Sequence, residues 1–402
     1  MGGCLKSSSH SNSVNLQKNE EDLRLMTQKE IRIKVGIKTQ GEPVVKPQKS
    51  LTLVENMLIG DGFHWQSVIQ AVLPGEVIPY SGTSENSENV SLINSLPLET
   101  YLECVVGSEM NPAAPMEFLK AHAVISRSWA LGKILGIHHE DSSGKINSST
   151  KIIGWDDTAS HHNFHVCSDD HCQRYQGLQN IPLGSLLAIR ETHGEVLISQ
   201  DGHLIDTRFS KCCGGTTELF STCWQSMDAP SLQSFPDPWC DLSSISSVGR
   251  RSLLSTILKD YDQTTADYGY RWLAKISKID IKKNLLKKFG REIGDIESIE
   301  PLHRGPSGRI DMLRINGSRG SLEIGKELYI RRLLSPSHLY SSAFDIEDCG
   351  DFISLKGKGW GHGVGLCQIG AAHMAFHGYS YKDILSLYYP GSILSREGFE
   401  KL

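Results

Sequence analysis

The stretch Gly359-Trp360-Gly361-His362-Gly363-Val364-Gly365-Leu366-Cys367-Gln368-Ile369-Gly370-Ala371-Ala372 organises the reading of this chain. Its glycines recur at every second position up to Gly365, which permits positive φ angles and lets a ligand or a second backbone approach without a Cβ in the way. From Leu366 on, the composition turns helix-compatible. The segment therefore reads as a glycine-rich loop that brings Trp360, His362 and Gln368 to one place before a helix starts. An indole suits a sugar ring or an apolar wall, and His362 can donate, accept or titrate near neutral pH. Glycine-rich turns before helices also serve packing.

Working outward, the 402 residues have room for two ordinary domains or one large one with insertions. Apolar content of 39%, charged content of 22% and a net charge of −5 describe a globular chain with no electrostatic bias toward nucleic acid. No run of about 18 apolar residues is present, so no transmembrane helix is predicted. The first nine residues, MGGCLKSSS, are polar and lack the apolar core of a secretory signal. Gly2 and Cys4 hint at lipidation, although Lys6 stands where the myristoylation pattern wants Ser or Thr. Residues 1–29 read as a disordered tail.

Alternating apolar and basic residues over 31–35, with short β-like runs at 51–54 and 67–72, predict a small β-rich layer over residues 30–98. In LETYLECVVGSEMNP (98–112), Leu98, Tyr101, Leu102, Val105 and Val106 keep helical spacing until Asn111-Pro112 stops them. Glu109 then falls at the helix end beside an apolar face, a setting that suits a proton-donating acid. An ordinary glutamate beside a turn is the plain alternative. PMEFLKAHAVISRSWALGKIL (115–135) is the clearest helix, apolar around most of its circumference and so predicted to be buried. A buried Arg127 there requires an anionic partner, for which Glu109 is a candidate.

Of the ten cysteines, six fall in two clusters, Cys167 with Cys172 and Cys212 with Cys213, Cys223 and Cys240. HHNFHVCSDDHCQRY (161–175) offers imidazole and thiolate ligands within one loop, the chemistry that zinc prefers. A Cys167–Cys172 disulfide is the rival reading. Farther on, residues 195–200 and 205–218 read as strands ending in a glycine turn flanked by Lys211 and Thr216. Amphipathic stretches at 271–277 and 279–289 predict a helical insertion over 241–300, and strand patterns return over 299–352, including residues 328–334.

Four ordered blocks carry a family resemblance. YLECVVGSEM with EFLKAHAVISRSWAL, then HCQRYQG, then FSKCCGGTTE, then GWGHGVGLCQIGAAHMA with the Tyr388-Tyr389-Pro390-Gly391 that follows resemble the stage II sporulation protein D (SpoIID) and amidase-enhancer LytB family. The resemblance covers about residues 92–218 and 300–395. It implies that Glu109 is the catalytic acid, that Arg127 is a basic residue of the same cleft, and that Lys211, Thr216, Trp360, His362 and Gln368 contribute to substrate binding. His122 departs from the usual glutamine. Some members bind zinc through one histidine and two cysteines, which here would be His161, Cys167 and Cys172, with His162, His165 and His171 as alternatives for the histidine. The implied fold is α+β: mixed β-sheets with a buried central helix, a helical insertion and a substrate cleft, the core spanning 99–240 and 301–402.

Glycosidic cleavage requires a protonated acid and usually a second carboxylate. These motifs supply one prominent glutamate, which fits a lytic transglycosylase, in which the sugar's own 6-hydroxyl displaces the leaving group. The resemblance implies that activity on peptidoglycan glycan strands stripped of stem peptides, leaving 1,6-anhydro ends, in a periplasmic or cell-envelope setting at division or sporulation septa. A cell-wall amidase and other septal proteins are the implied partners, and a non-catalytic, wall-binding amidase enhancer is the rival function. No His-Glu-x-x-His helix supports a zinc hydrolase.

Overall fold

The computed structural model describes residues 30–396 apart from positions 64, 81–89, 112, 137–144, 156–160, 162, 171, 180, 226–228 and 259–268. The tail expected over 1–29 lies outside the described residues. Mixed helices and sheets make the fold α+β.

Strands β1 (Arg32–Gln48), β2 (Leu51–Ile59), β3 (Ser67–Pro74), β4 (Glu76–Pro79) and β5 (Val90–Pro97) form an antiparallel sheet in the order β3-β2-β1-β5-β4. The short strand Val166–Cys167 joins it parallel to β1, pairing Val35 with Val166 and Gly36 with Cys167. That pairing docks the His/Cys loop on the sheet. A Cβ at Gly36 would stand 2.7 Å from the Phe164 ring, so the close approach requires glycine.

β5 runs directly into α1 (Leu98–Glu109), whose start is fixed by Pro97 and by the Leu98 N–H donating to Ile31 O at 2.8 Å. After the turn at Pro115 comes α2 (Met116–Leu135), closed by Gly136 in the left-handed conformation, φ 68°. As its composition predicts, α2 is buried on nearly every side from Phe118 to Lys133. Burying a side chain such as Phe118 or Leu131 stabilises the fold by about 2 kcal/mol. Next come α3 (Leu183–Glu191), α4 (Ser247–Ile257), α5 (Lys278–Phe289), α6 (Glu327–Leu333), α7 (Gln368–Phe376) and α8 (Tyr381–Tyr388). Helices α3, α7 and α8 pack on α2, so that the first core joins the N-terminal sheet to the last quarter of the chain.

A second core lies under the strands Ile296–Arg304, Ile310–Gly317 and Gly320–Gly325, extended in parallel by Lys151–Gly154. Two expectations fail here. Arg271–Ser277, read as an amphipathic helix, is a strand paired antiparallel with Phe352–Lys358. Its buried residues Trp272 and Ile276, with half-buried Ala274 between them, alternate with period two, a pattern too short for periodicity alone to separate from a helical one. Conversely, residues 328–334, read as a strand, fall mostly in α6, which buries Tyr329, Ile330 and Leu333 at helical spacing.

Candidate active site

Glu109 is the last residue of α1 and only 6% exposed. Its Oε1 accepts the N–H of Arg174 at 3.0 Å, and Ser108 Oγ accepts the N–H of Gln176 at 3.1 Å. The end of the helix is thus sewn to the backbone just beyond Cys172. Tyr175 stacks on Tyr101 of α1 with ring centroids 5.6 Å apart, and its hydroxyl donates to Asn94 on β5. Held in this way, Glu109 lines a cleft.

The His/Cys loop forms the near wall. One donor atom each from His161, Cys167 and Cys172 falls in a group whose members all lie within 4.8 Å of one another. The Cys167 N–H donates to Cys172 Sγ at 3.4 Å, and the two sulfurs are not bridged. Of the alternative histidines, His165 uses Nδ1 to accept the Lys34 N–H at 3.0 Å, and His162 and His171 lie outside the described residues. Two sulfurs and one imidazole suit a zinc ion with a fourth position open. Asp169 fastens the loop to the turn after β2, accepting the N–H of Gly60 at 3.0 Å and the Lys38 ammonium at 3.4 Å.

Asp170, its neighbour, lines the cleft with Glu109. It pairs with the Arg174 guanidinium, while its Oδ2 is buried without a hydrogen-bond partner among the described residues. Burial pushes its carboxyl up to about 7; Arg174 opposes that rise, and the charges of Asp169 and Glu109 add to it.

The far wall is the 359–365 loop. Gly359, Gly361, Gly363 and Gly365 all adopt positive φ, between 70° and 90°, as the spacing predicts. Beneath the loop lies Arg309, fully buried, whose guanidinium donates to Gly361 O at 3.0 and 3.1 Å, to Cys213 O at 3.2 Å and to Ser307 Oγ at 2.9 Å. A Cβ at Gly363 would stand 2.5 Å from that guanidinium. His362 Nδ1 accepts the Val364 N–H at 3.0 Å, and burial together with the Arg208, Arg309 and Arg331 charges holds its pKa well below the ordinary histidine range. The neutral ring meets Trp224 edge-on at 4.9 Å.

Gln368, the first residue of α7, places Nε2 3.3 Å from His122 Nε2, and its buried Oε1 has no hydrogen-bond partner among the described residues. His122 is completely buried and pushed down to about 3, first by burial and then by the Lys211 charge. Cations also cover indoles at the cleft: Arg174 over Trp65 at 4.5 Å, Lys133 over Trp129 at 5.3 Å and Arg208 over Trp224 at 3.8 Å.

Glu109, Lys211, Trp360, His362, Gln368 and Cys172 therefore share one cleft. Arg127 and Thr216 do not line it. Arg127 is fully buried in α2 and grips Glu99 through two bonds of 2.7 and 2.8 Å, with a third to Glu195 O at 3.1 Å. The expected Arg127–Glu109 pair is corrected accordingly, because Glu99 and Glu109 stand at opposite ends of α1, roughly 15 Å apart at 1.5 Å per residue. Thr216 is held at the glycine turn by a bridge to Pro236. Asp170, Arg174, Arg208 and Arg309 escaped the reading of the sequence. For Asp170 a signal existed, since it lies two residues before Cys172 in the loop already singled out.

Residues 86–198 match the SpoIID model, described as a stage II sporulation protein, and residues 218–365 match a domain of unknown function, DUF8618. The second core and the glycine-rich loop thus fall largely under a different model from Glu109 and the His/Cys loop. The chain is 28% identical over 314 residues to an uncharacterized protein of Brachyspira hyodysenteriae, covering 78% of this chain and 69% of that protein. It is 25% identical over 303 residues to stage II sporulation protein D of Bacillus subtilis, covering 75% and 76%. It is 26% identical over 227 residues to the amidase enhancer of Bacillus subtilis, covering 52% and 32%.

Proposed function

We propose that this chain, which carries a SpoIID domain, is a lytic transglycosylase of peptidoglycan glycan strands with Glu109 as its acid. The observation that carries the reading is the buried Glu109 carboxyl at a helix end, held by the Arg174 N–H and open to a cleft lined by indoles and cations. Relatives named for sporulation and for amidase enhancement support a cell-wall role in the cell envelope.

In the proposed reaction Glu109 gives its proton to the glycosidic oxygen as the C1–O bond breaks, leaving an oxocarbenium-like muramyl residue. The muramyl 6-hydroxyl then attacks C1 and returns its proton to the Glu109 carboxylate. A 1,6-anhydro end forms, no water is consumed and the enzyme is restored. Asp170 contributes to the cavity a second carboxyl, whose ionised form favours the cationic transition state. Lys211, Arg208 and Arg331 line the same cleft, and cations there suit the lactyl carboxylate that muramic acid exposes once its stem peptide is gone. Denuded strands are therefore the proposed substrate.

His161, Cys167 and Cys172 would hold a zinc ion, whose binding would lock the loop that carries Asp170 and Arg174. Lys38 and Lys133 stand close enough to offset thiolate charge. Glu109→Gln tests the assignment: it should bind denuded strands and fail to cut them. A well-folded wild type that leaves strands intact yet stimulates a purified cell-wall amidase would instead support the enhancer role, the printed name of one relative.

A further inference from the structure

Behind the far wall of the cleft, three distant segments bring four ligand-bearing side chains together. Cys213 ends the segment that carries Lys211, Asp237 and Cys240 belong to the turn around Pro238–Cys240, and Cys367 caps the N-terminus of α7. All four are buried, and one donor atom from each lies within 4.8 Å of the others. We propose that Cys213, Cys240, Cys367 and Asp237 form a second, structural zinc site that clamps the glycine-rich loop to the Lys211 segment.

The spacing suits a tetrahedral ion. Two sulfurs each about 2.3 Å from a tetrahedral centre stand roughly 3.8 Å apart, and an oxygen ligand stands slightly closer to them. Cys213 Sγ lies 3.3 Å from Asp237 Oδ2. Three sulfurs and one carboxylate with no open position are the donor set of a structural centre rather than a catalytic one.

The surroundings suit it as well. Cys367 Sγ accepts N–H bonds from Cys213 at 3.3 Å and Gly370 at 3.5 Å, Cys213 Sγ accepts one from Gly215 at 3.4 Å, and Tyr388 donates its hydroxyl to Asp237 Oδ2 at 2.9 Å. Such donors orient thiolate and carboxylate ligands and spread their charge. Asp237 is also only 1% exposed. The Trp239 N–H also donates to this carboxyl at 3.0 Å, and a divalent ion would add the opposite charge that favours burying a carboxylate there.

The site differs from the cluster that the sequence suggests. Cys223 turns away, its Sγ 3.5 Å from His362 O, and Cys367 takes its place from 144 residues farther along the chain. Cys212 approaches Cys240 with sulfurs 3.4 Å apart, a contact distance rather than a disulfide bond, and stands outside the four. Closing loops of this length with one ion stabilises the wall more than any surface contact would.

The test is zinc content of the purified full-length chain, with intact and alkylated mass spectrometry to detect disulfides. Cys172→Ser, which disrupts only the cleft-side site, should retain about one equivalent of zinc, and that zinc should resist brief chelation. Cobalt(II) substituted into the same variant should give thiolate charge-transfer absorption. Cys240→Ser should lose about one equivalent relative to wild type, and Cys212→Ser none. If Cys240→Ser fails to fold, the Cys172→Ser measurement still decides. A folded Cys172→Ser protein without metal, or a disulfide among Cys212, Cys213, Cys240 and Cys367, would overturn the proposal. None of these readings depends on glycan cleavage, so the site stands or falls apart from the transglycosylase assignment.

Discussion

The two walls of the cleft are built by opposite means. On the near wall, side chains anchored to a helix end and a sheet-docked loop carry the acid groups, and each is fixed by a nearby partner, Glu109 by the Arg174 N–H and Asp169 by Gly60 and Lys38. On the far wall the backbone itself makes the surface, four glycines at positive φ lying over one buried arginine. The near wall therefore concentrates chemistry in few groups, whereas the far wall concentrates shape. Substitutions on the first should cost rate and spare stability, and substitutions on the second should do the reverse first.

The largest expected effect is on the near wall. Glu109→Gln keeps the volume and can still accept the Arg174 N–H, so glycan cleavage should fall by about 10²–10⁴-fold, the usual span of an acid–base group, with thermal unfolding nearly unchanged. A comparable loss of stability would break the contrast. Next comes Arg309→Met, which leaves the carbonyls of Gly361 and Cys213 and the Ser307 hydroxyl without their buried donor. Urea unfolding should report a loss of about 3 kcal/mol, and activity should fall only as the loop shifts.

A smaller effect should appear as a pH dependence. Folded His122 is held at about 3, whereas the unfolded ring titrates near 6.5, so the unfolded chain takes up protons first as pH falls. Its contribution to stability is complete above about 6.5 and is lost progressively toward 3, amounting to roughly 1.4 kcal/mol at pH 5.5. His122→Gln should retain a contact with Gln368 and flatten this acid limb, as unfolding midpoints measured from pH 7.5 to 5 would reveal. The smallest effect is Lys211→Met, expected to raise KM for denuded strands by about fivefold, close to 1 kcal/mol, and to do little on strands whose lactyl groups are still capped by peptide. Equal effects on both substrates would remove the carboxylate-recognition argument.

What could be read from the sequence follows the same division. The two helices at 98–109 and 116–135 and the positive-φ loop were legible because each is written in local spacing, whereas His161 was singled out beside Cys167 and Cys172 only by the family resemblance. Arg127 was recognisable as needing an anion, but its partner was not, because Glu99 and Glu109 are both on α1 and only the crossing of α1 and α2 selects between them. Arg309 immediately precedes the strand Ile310–Gly317 with nothing in its neighbourhood to mark it, and its role appears only when residues 213 and 361 come to lie above it. The replacement of Cys223 by Cys367 in the buried cluster is of the same kind. Short apolar runs failed for another reason: Arg271–Ser277 and Glu327–Leu333 are seven residues each, too few to separate period two from period 3.6.

Asp170 sharpens the chemistry at issue. A second carboxyl beside Glu109 would also serve a hydrolase, in which water rather than the 6-hydroxyl attacks C1. The decisive measurement is mass spectrometry of the new glycan ends after digestion of denuded strands in heavy-oxygen water, with wild type and Glu109→Gln side by side. Muramyl ends that are 1,6-anhydro and free of the label, from wild type alone, are the predicted result. Labelled reducing ends, or unlabelled anhydro ends from Glu109→Gln at the wild-type rate, would contradict a transglycosylase that uses Glu109 as its acid.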